Sequence, residues 1–216
     1  YYTWQGNPEV GISNELTPDV AWTVYYHKIL MTNIILDQLY TMNGTDMERQ
    51  DLAGEAYFMR AYNYFHLVEQ FGDVTLTTTY NASPSTSSER HDMVRVYEEV
   101  IIPDLLNAIR LCSPSPQLNN LESGRASAAT ARHLLSRVYL TLAWVFDKDP
   151  ANPSYKGNTQ TKYYNTTKAK EYYQKAFDMA TGLIADASSL GTKLMDNFAD
   201  IFDEANDAPS GKNKEE

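Results

Sequence analysis

The chain has 216 residues, 43% of them hydrophobic, with only 9 prolines and 10 glycines, a composition typical of a folded, helix-rich domain. Acidic residues outnumber basic ones by 28 to 18, and the net charge of −10 argues against a nucleic-acid partner, which requires a basic surface. The single cysteine, Cys112, excludes an intrachain disulfide and a cysteine-based zinc site. No apolar run approaches the roughly 20 residues that span a bilayer.

The first helix is predicted after an irregular segment, residues 1–18. Thr17 is its expected N-cap and Pro18 its first helical residue, and it continues to about Met42. Its inner face is formed by Trp22, Tyr26, Ile29, Asn33, Leu36 and Leu39. Because a buried amide needs partners, we expect Asn33 to serve as a structural hydrogen-bonding residue.

The stretch from 52 to 76 predicts a long central helix that ends at Gly72, where a glycine can adopt a left-handed conformation. One face of this helix carries Ala53, Tyr57, Ala61, Tyr64 and Val68 at helical spacing. Further apolar residues widen that face, so neighbours are expected on two sides. Its early acidic residues, Glu48, Asp51 and Glu55, are interpreted as a solvated face. The Ser- and Thr-rich residues 75–90 predict an exposed loop.

The rest of the chain predicts further helices and no strand. A third helix covers 93–111, kinked or divided at Pro103. After a loop at 113–124, a fourth covers 125–146, a fifth 167–186 and a short sixth 197–205. A polar insertion at 147–165 carries Tyr155, Tyr163 and Tyr164. Small and large residues alternate along several of these helices, so the fold class is all-α, with degenerate tetratricopeptide-like hairpins forming an α-solenoid or bundle with long irregular loops.

Four segments occur in an order that is known from one family. They are Trp22, Tyr26, Ile29, Asn33 and Leu36 of the first helix, EAYFMRAYNYFHLVEQFGDVTL (55–76), VYEEVIIPDLLNAIRL (96–111) and GRASAATARHLLSRVYL (124–140). In this arrangement the chain resembles the SusD/RagB family of surface glycan-binding lipoproteins. Thr75 stands where that family usually has proline, and Arg132 and His133 replace commoner small or apolar residues.

The resemblance implies a non-enzymatic protein on the cell outer membrane that captures an oligosaccharide or polysaccharide for a SusC-like TonB-dependent transporter. It also implies that residues 1–216 are a single helical domain of a longer protein, without its lipidated N-terminus and C-terminal portion. Contact with the membrane is then expected only through that lipid anchor. The alternative is a tetratricopeptide-type adaptor that binds a peptide or protein, although the acidic charge and long loops do not favour a regular peptide groove.

The candidate ligand-binding residues are aromatic and amide side chains on irregular segments. An aromatic plane can stack on the C–H face of a sugar while amides bond to its hydroxyls. The candidates are Tyr1, Tyr2, Trp4, Gln5, Asn7 and Tyr155. The alternative for the first segment is that its rings pack onto the helical scaffold.

No catalytic, metal or cofactor site is predicted. His66, Glu69 and Asp73 lie close to one helical side, but the chain lacks the HExxH pattern, and we interpret them as a polar face. The sequence contains no nucleophile elbow, P-loop or dinucleotide fingerprint. Cys112 has no evident base nearby in the sequence and is expected to be a packed thiol.

Overall fold

The computed structural model describes residues 18–80, 89–114 and 125–192, together with 197 and 199. The predicted all-α class is confirmed. The helices are α1 (Pro18–Gln38), α2 (Asp46–Phe71), α3 (Met93–Val96), α4 (Ile102–Leu111), α5 (Ala128–Phe146) and α6 (Thr166–Leu190). Short 3₁₀ turns cover Leu39–Thr41, Pro153–Tyr155 and Thr159–Tyr163. The predicted sixth helix at 197–205 lies outside the described residues, apart from two isolated positions.

The ends of α2 follow from local chemistry. Thr45 and Glu48 form a capping box, in which the Thr45 amide donates to the Glu48 carboxylate at 2.8 Å and the Glu48 amide donates to the Thr45 hydroxyl at 3.2 Å. At the other end Gly72 has φ 70° and ψ −115°. The predicted stop at this glycine is confirmed, although its ψ lies outside the left-handed helical region.

Pro103 divides the third predicted helix rather than kinking it. A π-helical turn, Tyr97–Ile101, separates α3 from α4, and the Ile102 amide donates to the Tyr97 carbonyl. Pro103 lies in the first turn of α4. It has no N–H to offer the carbonyl of Glu99, and the wider turn occurs where that α-helical bond is lost.

A small sheet corrects the expectation of no strands. Val74–Thr75 (β1) pairs antiparallel with Arg90–His91 (β2), with Val74 opposite His91. The physical reason is that Val74 is fully buried, and its neighbours Asp73 and Thr75 are hydrogen-bonded to helical residues. The intervening residues 81–88 lie outside the described part of the chain.

The helices form hairpins that stack side by side. α1 packs on α2, α2 pairs with α4, α4 also packs on α5, and α5 pairs with α6. Fully buried residues at the α2–α4 contact are the predicted Ala61, Tyr64, Ile101, Leu105 and Ala108. Small residues between large rings allow this close approach, as the repeat-like interpretation requires.

A buried ion pair joins α2 to α4. The guanidinium of Arg60 donates to both carboxylate oxygens of Asp104, at 2.7 and 2.8 Å. It also donates to the amide oxygen of Asn33 on α1 and to the carbonyl of Thr78, both at 2.9 Å. Burial disfavours the charge of Arg60, but Asp104 outweighs that effect and raises the pKa of the guanidinium.

The segment after α2 is tied to the same network. The Asn33 amide donates to the Thr77 carbonyl at 3.0 Å, which confirms the structural role predicted for this residue. The Tyr64 hydroxyl donates to that carbonyl at 2.9 Å and accepts from the Thr77 amide at 2.8 Å. The Tyr26 hydroxyl donates to the Thr75 carbonyl at 2.7 Å. The beginning of the predicted exposed loop is therefore fixed to α1 and α2.

The sequence predicts that the acidic residues at the start of α2 form a solvated face, and this prediction is wrong for two of the three. Asp51 accepts from the Ser113 amide at 3.0 Å, and Glu55 accepts from Arg125 at 2.7 Å. Only Glu48 is exposed. Both exceptions arise because α2 lies beside chain segments that are 62 and 70 residues away in sequence.

None of the described helices is both long enough and apolar enough to cross a membrane.

Replacing Asp104 by alanine would leave the Arg60 charge buried without its carboxylate partner, since the two side chains are only 5% and 8% exposed. We expect a loss of about 3–5 kcal/mol in the free energy of unfolding, measured by urea denaturation. The control is Glu99→Ala, which removes a half-exposed pair with Arg95 and should have a much smaller effect. Equal effects of the two substitutions would contradict a central role for the buried pair.

Gly54 lies where α2 crosses the end of α4, and an added Cβ would be 2.7 Å from both the backbone nitrogen and the sulfur of Cys112. We expect Gly54→Ala to lower the free energy of unfolding by about 1–3 kcal/mol through overpacking. In the matched variant Gly182→Ala, the new Cβ would meet only the flexible end of Arg132, at 3.2 Å. That variant should be neutral or stabilising by up to about 1 kcal/mol, as for glycine within a helix. If Gly54→Ala left the free energy of unfolding unchanged, α2 and the end of α4 would be able to move apart without loss of stability.

Candidate functional site

Only one of the predicted ligand-binding residues is among the described residues. Tyr155 lies in the connection between α5 and α6, residues 147–165. The other candidates, Tyr1, Tyr2, Trp4, Gln5 and Asn7, lie outside the described part of the chain.

The α5–α6 connection is a compact loop built from capped turns. The Asn152 side chain accepts from the Ser154 amide at 3.0 Å, and the Asn158 side chain accepts from the Gln160 amide at 2.9 Å. The Asn165 amide then donates to the carbonyl of Phe146 at 2.8 Å, so the two ends of the loop meet. Short polar side chains of this kind stabilise tight turns by bonding to nearby backbone amides.

Tyr155 ends the first of these turns and is half-buried. Its amide donates to the Asn152 carbonyl at 3.0 Å, and its carbonyl accepts from the Asn158 amide at 2.9 Å. Within the described part of the chain, no side chain bonds to its hydroxyl. The turn therefore fixes the backbone of Tyr155, and its hydroxyl remains available.

Tyr155 neighbours Tyr173, which is linked through Asp147 to Tyr164 and Asp149. The Tyr173 hydroxyl donates to Asp147 at 3.1 Å, and its pKa is raised by burial, by that bond and by the nearby Tyr155. The pKa of Tyr164, whose side chain is exposed, is raised by partial desolvation and then by Asp149 and Asp147. We name these five residues, Tyr155, Tyr164, Tyr173, Asp147 and Asp149, the connection patch.

The connection patch combines flat rings with carboxylate oxygens. Asp147 accepts from Tyr173, and Asp149 accepts from the Ala151 amide at 2.7 Å and from the Tyr164 hydroxyl. Each carboxylate still has lone pairs that can accept a further hydroxyl. A surface of this kind suits a sugar, whose C–H face stacks on a ring while its hydroxyls donate to carboxylates.

The remaining tyrosine of the connection has a structural role. The Tyr163 hydroxyl donates to Asp92 at 2.5 Å, and Lys162 lies 3.4 Å from the same carboxylate. Burial and this bond to Asp92 raise the pKa of Tyr163 to about 12. Tyr163 therefore anchors the connection to the start of α3 and is separate from the connection patch.

The three polar residues considered as metal ligands are engaged in other contacts. His66 stacks on Tyr25, with ring centroids 5.9 Å apart and planes 6° apart. Glu69 accepts the Tyr97 hydroxyl at 2.7 Å, and Asp73 accepts the Met93 amide at 3.0 Å. Within the described ranges, no three His, Cys, Asp or Glu side chains are grouped to hold a metal ion.

Cys112 is buried against α2. Burial raises the pKa of its thiol to about 12, and the nearby carboxylates of Glu55 and Asp51 act in the same direction. A thiol with so high a pKa is a poor nucleophile at neutral pH. The predicted packed thiol is in agreement with this environment.

A cavity of about 250 Å³ lies beside the buried ion pair. Its walls are Asn33, Leu36, Asp37, Tyr57, Arg60, Thr78 and Thr79. The polar groups of Arg60 and Asn33 already bond to protein atoms, so we assign these two residues to the scaffold.

The sequence interpretation missed Tyr173, Asp147 and Asp149 as neighbours of Tyr155. Tyr173 lies at helical spacing within the fifth predicted helix, which gives no sign that it faces a loop. Their proximity depends on the folding of the connection back toward α6.

The comparisons with known proteins agree on one family. The model of SusD-like proteins described as "starch-binding associating with outer membrane" matches residues 1–140. The SusD-like protein P2 of Formosa agariphila is 31% identical over 122 residues, which are 56% of this chain and 23% of that protein.

Solved structures give the same result. A SusD superfamily protein from Parabacteroides distasonis is 28% identical to this chain, with a TM-score of 0.64. The match covers 84% of this chain and 34% of that protein. A laminarin-binding SusD-like protein is 24% identical to this chain, with a TM-score of 0.67. The match covers 89% of this chain and 36% of that protein, and at this identity it shows the fold alone. The matched part of the chain thus covers 23% to 36% of the length of these relatives. Because the family model covers well over half of its residues, this chain belongs to the SusD-like family.

Proposed function

We propose that the protein captures an oligosaccharide or polysaccharide at the cell surface. The observation that carries this proposal is the match of residues 1–140 to the family described as starch-binding and associating with the outer membrane. Two similar structures support it by their descriptions, one of a laminarin-binding protein and one with a xylogluco-oligosaccharide. Their low identity to this chain leaves the particular glycan to experiment.

The connection patch supports the same function on physical grounds. It presents Tyr155 and Tyr164 near two carboxylates on a loop whose backbone is fixed by capped turns. A fixed platform loses little conformational freedom when a ligand binds, which favours affinity. In this proposal Trp4 and its neighbours Tyr1, Tyr2, Gln5 and Asn7 supply a second group of sugar contacts.

The proposal also includes where the protein is located and which transporter it serves. This chain is one helical domain of a longer outer-membrane lipoprotein, which is tethered by lipid and exposed at the cell surface. It passes its ligand to a SusC-like TonB-dependent transporter and performs no chemistry on it. Family membership supports these statements. Copurification of the transporter with the tagged full-length protein from its native membrane would test the partner, and failure to recover it would count against the handover.

The first experiment is a binding screen of the full-length protein against a panel of neutral and charged polysaccharides by affinity gel electrophoresis. Retardation by one glycan class would identify the nutrient and support capture. If no polysaccharide retards the protein, glycan capture is wrong, and the tetratricopeptide-type adaptor becomes the function to pursue.

Tyr155→Ala should weaken binding of the glycan found in that screen, because it removes one stacking surface from the connection patch. We expect a loss of affinity of about fivefold to tenfold by isothermal titration calorimetry, comparable to one aromatic contact. The matched control is Tyr40→Ala, which removes a tyrosine that is 89% exposed and lies on another segment. Trp4→Ala tests the second group of contacts in the same way. Unchanged affinity with an unchanged melting temperature would exclude the residue concerned from the site.

A further inference from the structure

The exposed faces of α2 and α5 lie side by side and run in the same direction. Just before α5 begins, Arg125 pairs with Glu55 in the first half of α2 at 2.6 Å. Further along, the Arg137 guanidinium lies over the ring of Phe65, 5.3 Å from its centroid. These two contacts join successive positions of the helices in the same order. Together the two helices form a continuous surface, which we name the α2–α5 face.

Large apolar side chains are exposed on the α2–α5 face. On α5, Leu140 and Trp144 are 52% and 60% exposed. On α2, Tyr62 is 38% exposed and meets the ring of His66 edge-on, with centroids 4.4 Å apart. His66 in turn stacks on Tyr25 of α1. The face therefore offers several flat rings to solvent, a common feature of ligand-binding surfaces.

The charges of this face are unevenly matched. Arg137 is exposed and makes no ion pair in the described part of the chain, and the same holds for Lys28 on α1. Glu55 is neutralised by its pair with Arg125, whereas Glu69 accepts only the neutral Tyr97 hydroxyl and keeps its charge. Arg137 and Lys28 therefore outnumber the one carboxylate of this group that has no cationic partner.

Both cations and Glu69 also act on the half-buried His66. Its pKa is lowered first by burial and then by Arg137, while Lys28 acts in the same direction and Glu69 acts against it. At the end of the face, the Lys148 ammonium lies 5.8 Å from the ring centroid of Trp144. Arg137, Lys28 and Lys148 thus form a local group of cations around Glu69 in a chain whose net charge is −10.

We propose that the α2–α5 face binds an acidic glycan, whose carboxylate or sulfate groups pair with Arg137 while a sugar ring stacks on Trp144. The two residues are seven positions apart on one face of α5, which is about 10 Å along the helix axis. At least two linked sugars are needed to cover that distance. Guanidinium groups bind carboxylates and sulfates through paired charge-assisted bonds, and indole rings stack on sugars. This inference rests on the proposed function and names the class of its ligand.

An acidic peptide is the other occupant that such charges could attract. The exposed rings favour a glycan, because broad, flat aromatic surfaces match the C–H faces of sugars. The peptide is therefore included in the test as a competing probe.

The experiment measures binding of the full-length protein to oligogalacturonate, to a sulfated galactan oligosaccharide and to a neutral galactan oligosaccharide of equal length. Arg137→Ala should weaken binding of an acidic oligosaccharide at least tenfold and reduce its dependence on salt. Arg137→Lys should restore part of the affinity, and Trp144→Ala should weaken binding while leaving the salt dependence intact. The matched control is Arg95→Ala, an exposed arginine on α3 that pairs with Glu99 and should have no effect.

The outcomes separate this inference from the proposed function. Loss of acidic-glycan binding in Arg137→Ala and Trp144→Ala, but not in Arg95→Ala, supports it, and the comparison of oligogalacturonate with sulfated galactan identifies the anion. Binding of the neutral oligosaccharide alone overturns the inference and leaves glycan capture standing. Displacement by polyglutamate at equal concentration, with the same dependence on Arg137, also overturns it, because the face would then be a peptide-docking surface. Failure to bind either acidic oligosaccharide also overturns the inference, and glycan capture falls with it only if no polysaccharide of the earlier panel binds.

Discussion

The buried pair between Arg60 and Asp104 is the interaction on which the rest of the described structure depends. It joins α2 to α4 through two bonds, and the same guanidinium reaches Asn33 on α1 and the backbone at Thr78. A buried charge is tolerated only when its partners are complete, so the geometry of all four segments is coupled. A shift of any one of them would leave a charge or an amide without its partner.

This coupling separates the scaffold from the surfaces that can vary. The polar residues in the core bond to one another and to the backbone. They include Arg60 of the segment FMRA and Asp104 of the segment PDLL, both within the stretches that resemble the family. The exposed rings of the connection patch and of the α2–α5 face make few such bonds. A fold of this kind can retain its core while the residues that contact ligand change.

Much of the helical architecture was predictable because its signals are local. Pro18 begins α1, Gly72 ends α2, Pro103 marks the division before α4, and apolar residues at helical spacing marked the buried faces. The main errors arose where distant segments meet. Asp51 and Glu55 are predicted to be solvated but bond to residues far along the chain, and Thr75 and Arg90, the two ends of the predicted loop, pair as strands.

The sequence by itself determined the fold class, the main helices and the family resemblance, since these depend on spacing and short motifs. It also identified Tyr155 as an aromatic residue on an irregular segment. Only the tertiary structure decided that Arg60 pairs with Asp104, 44 residues away, and that Tyr173 and Asp147 lie beside Tyr155. It also decided that Arg137 faces α2 without a carboxylate partner among the described residues. The physical reason is that a charge or ring takes its role from its neighbours in space, and helix packing brings those neighbours together.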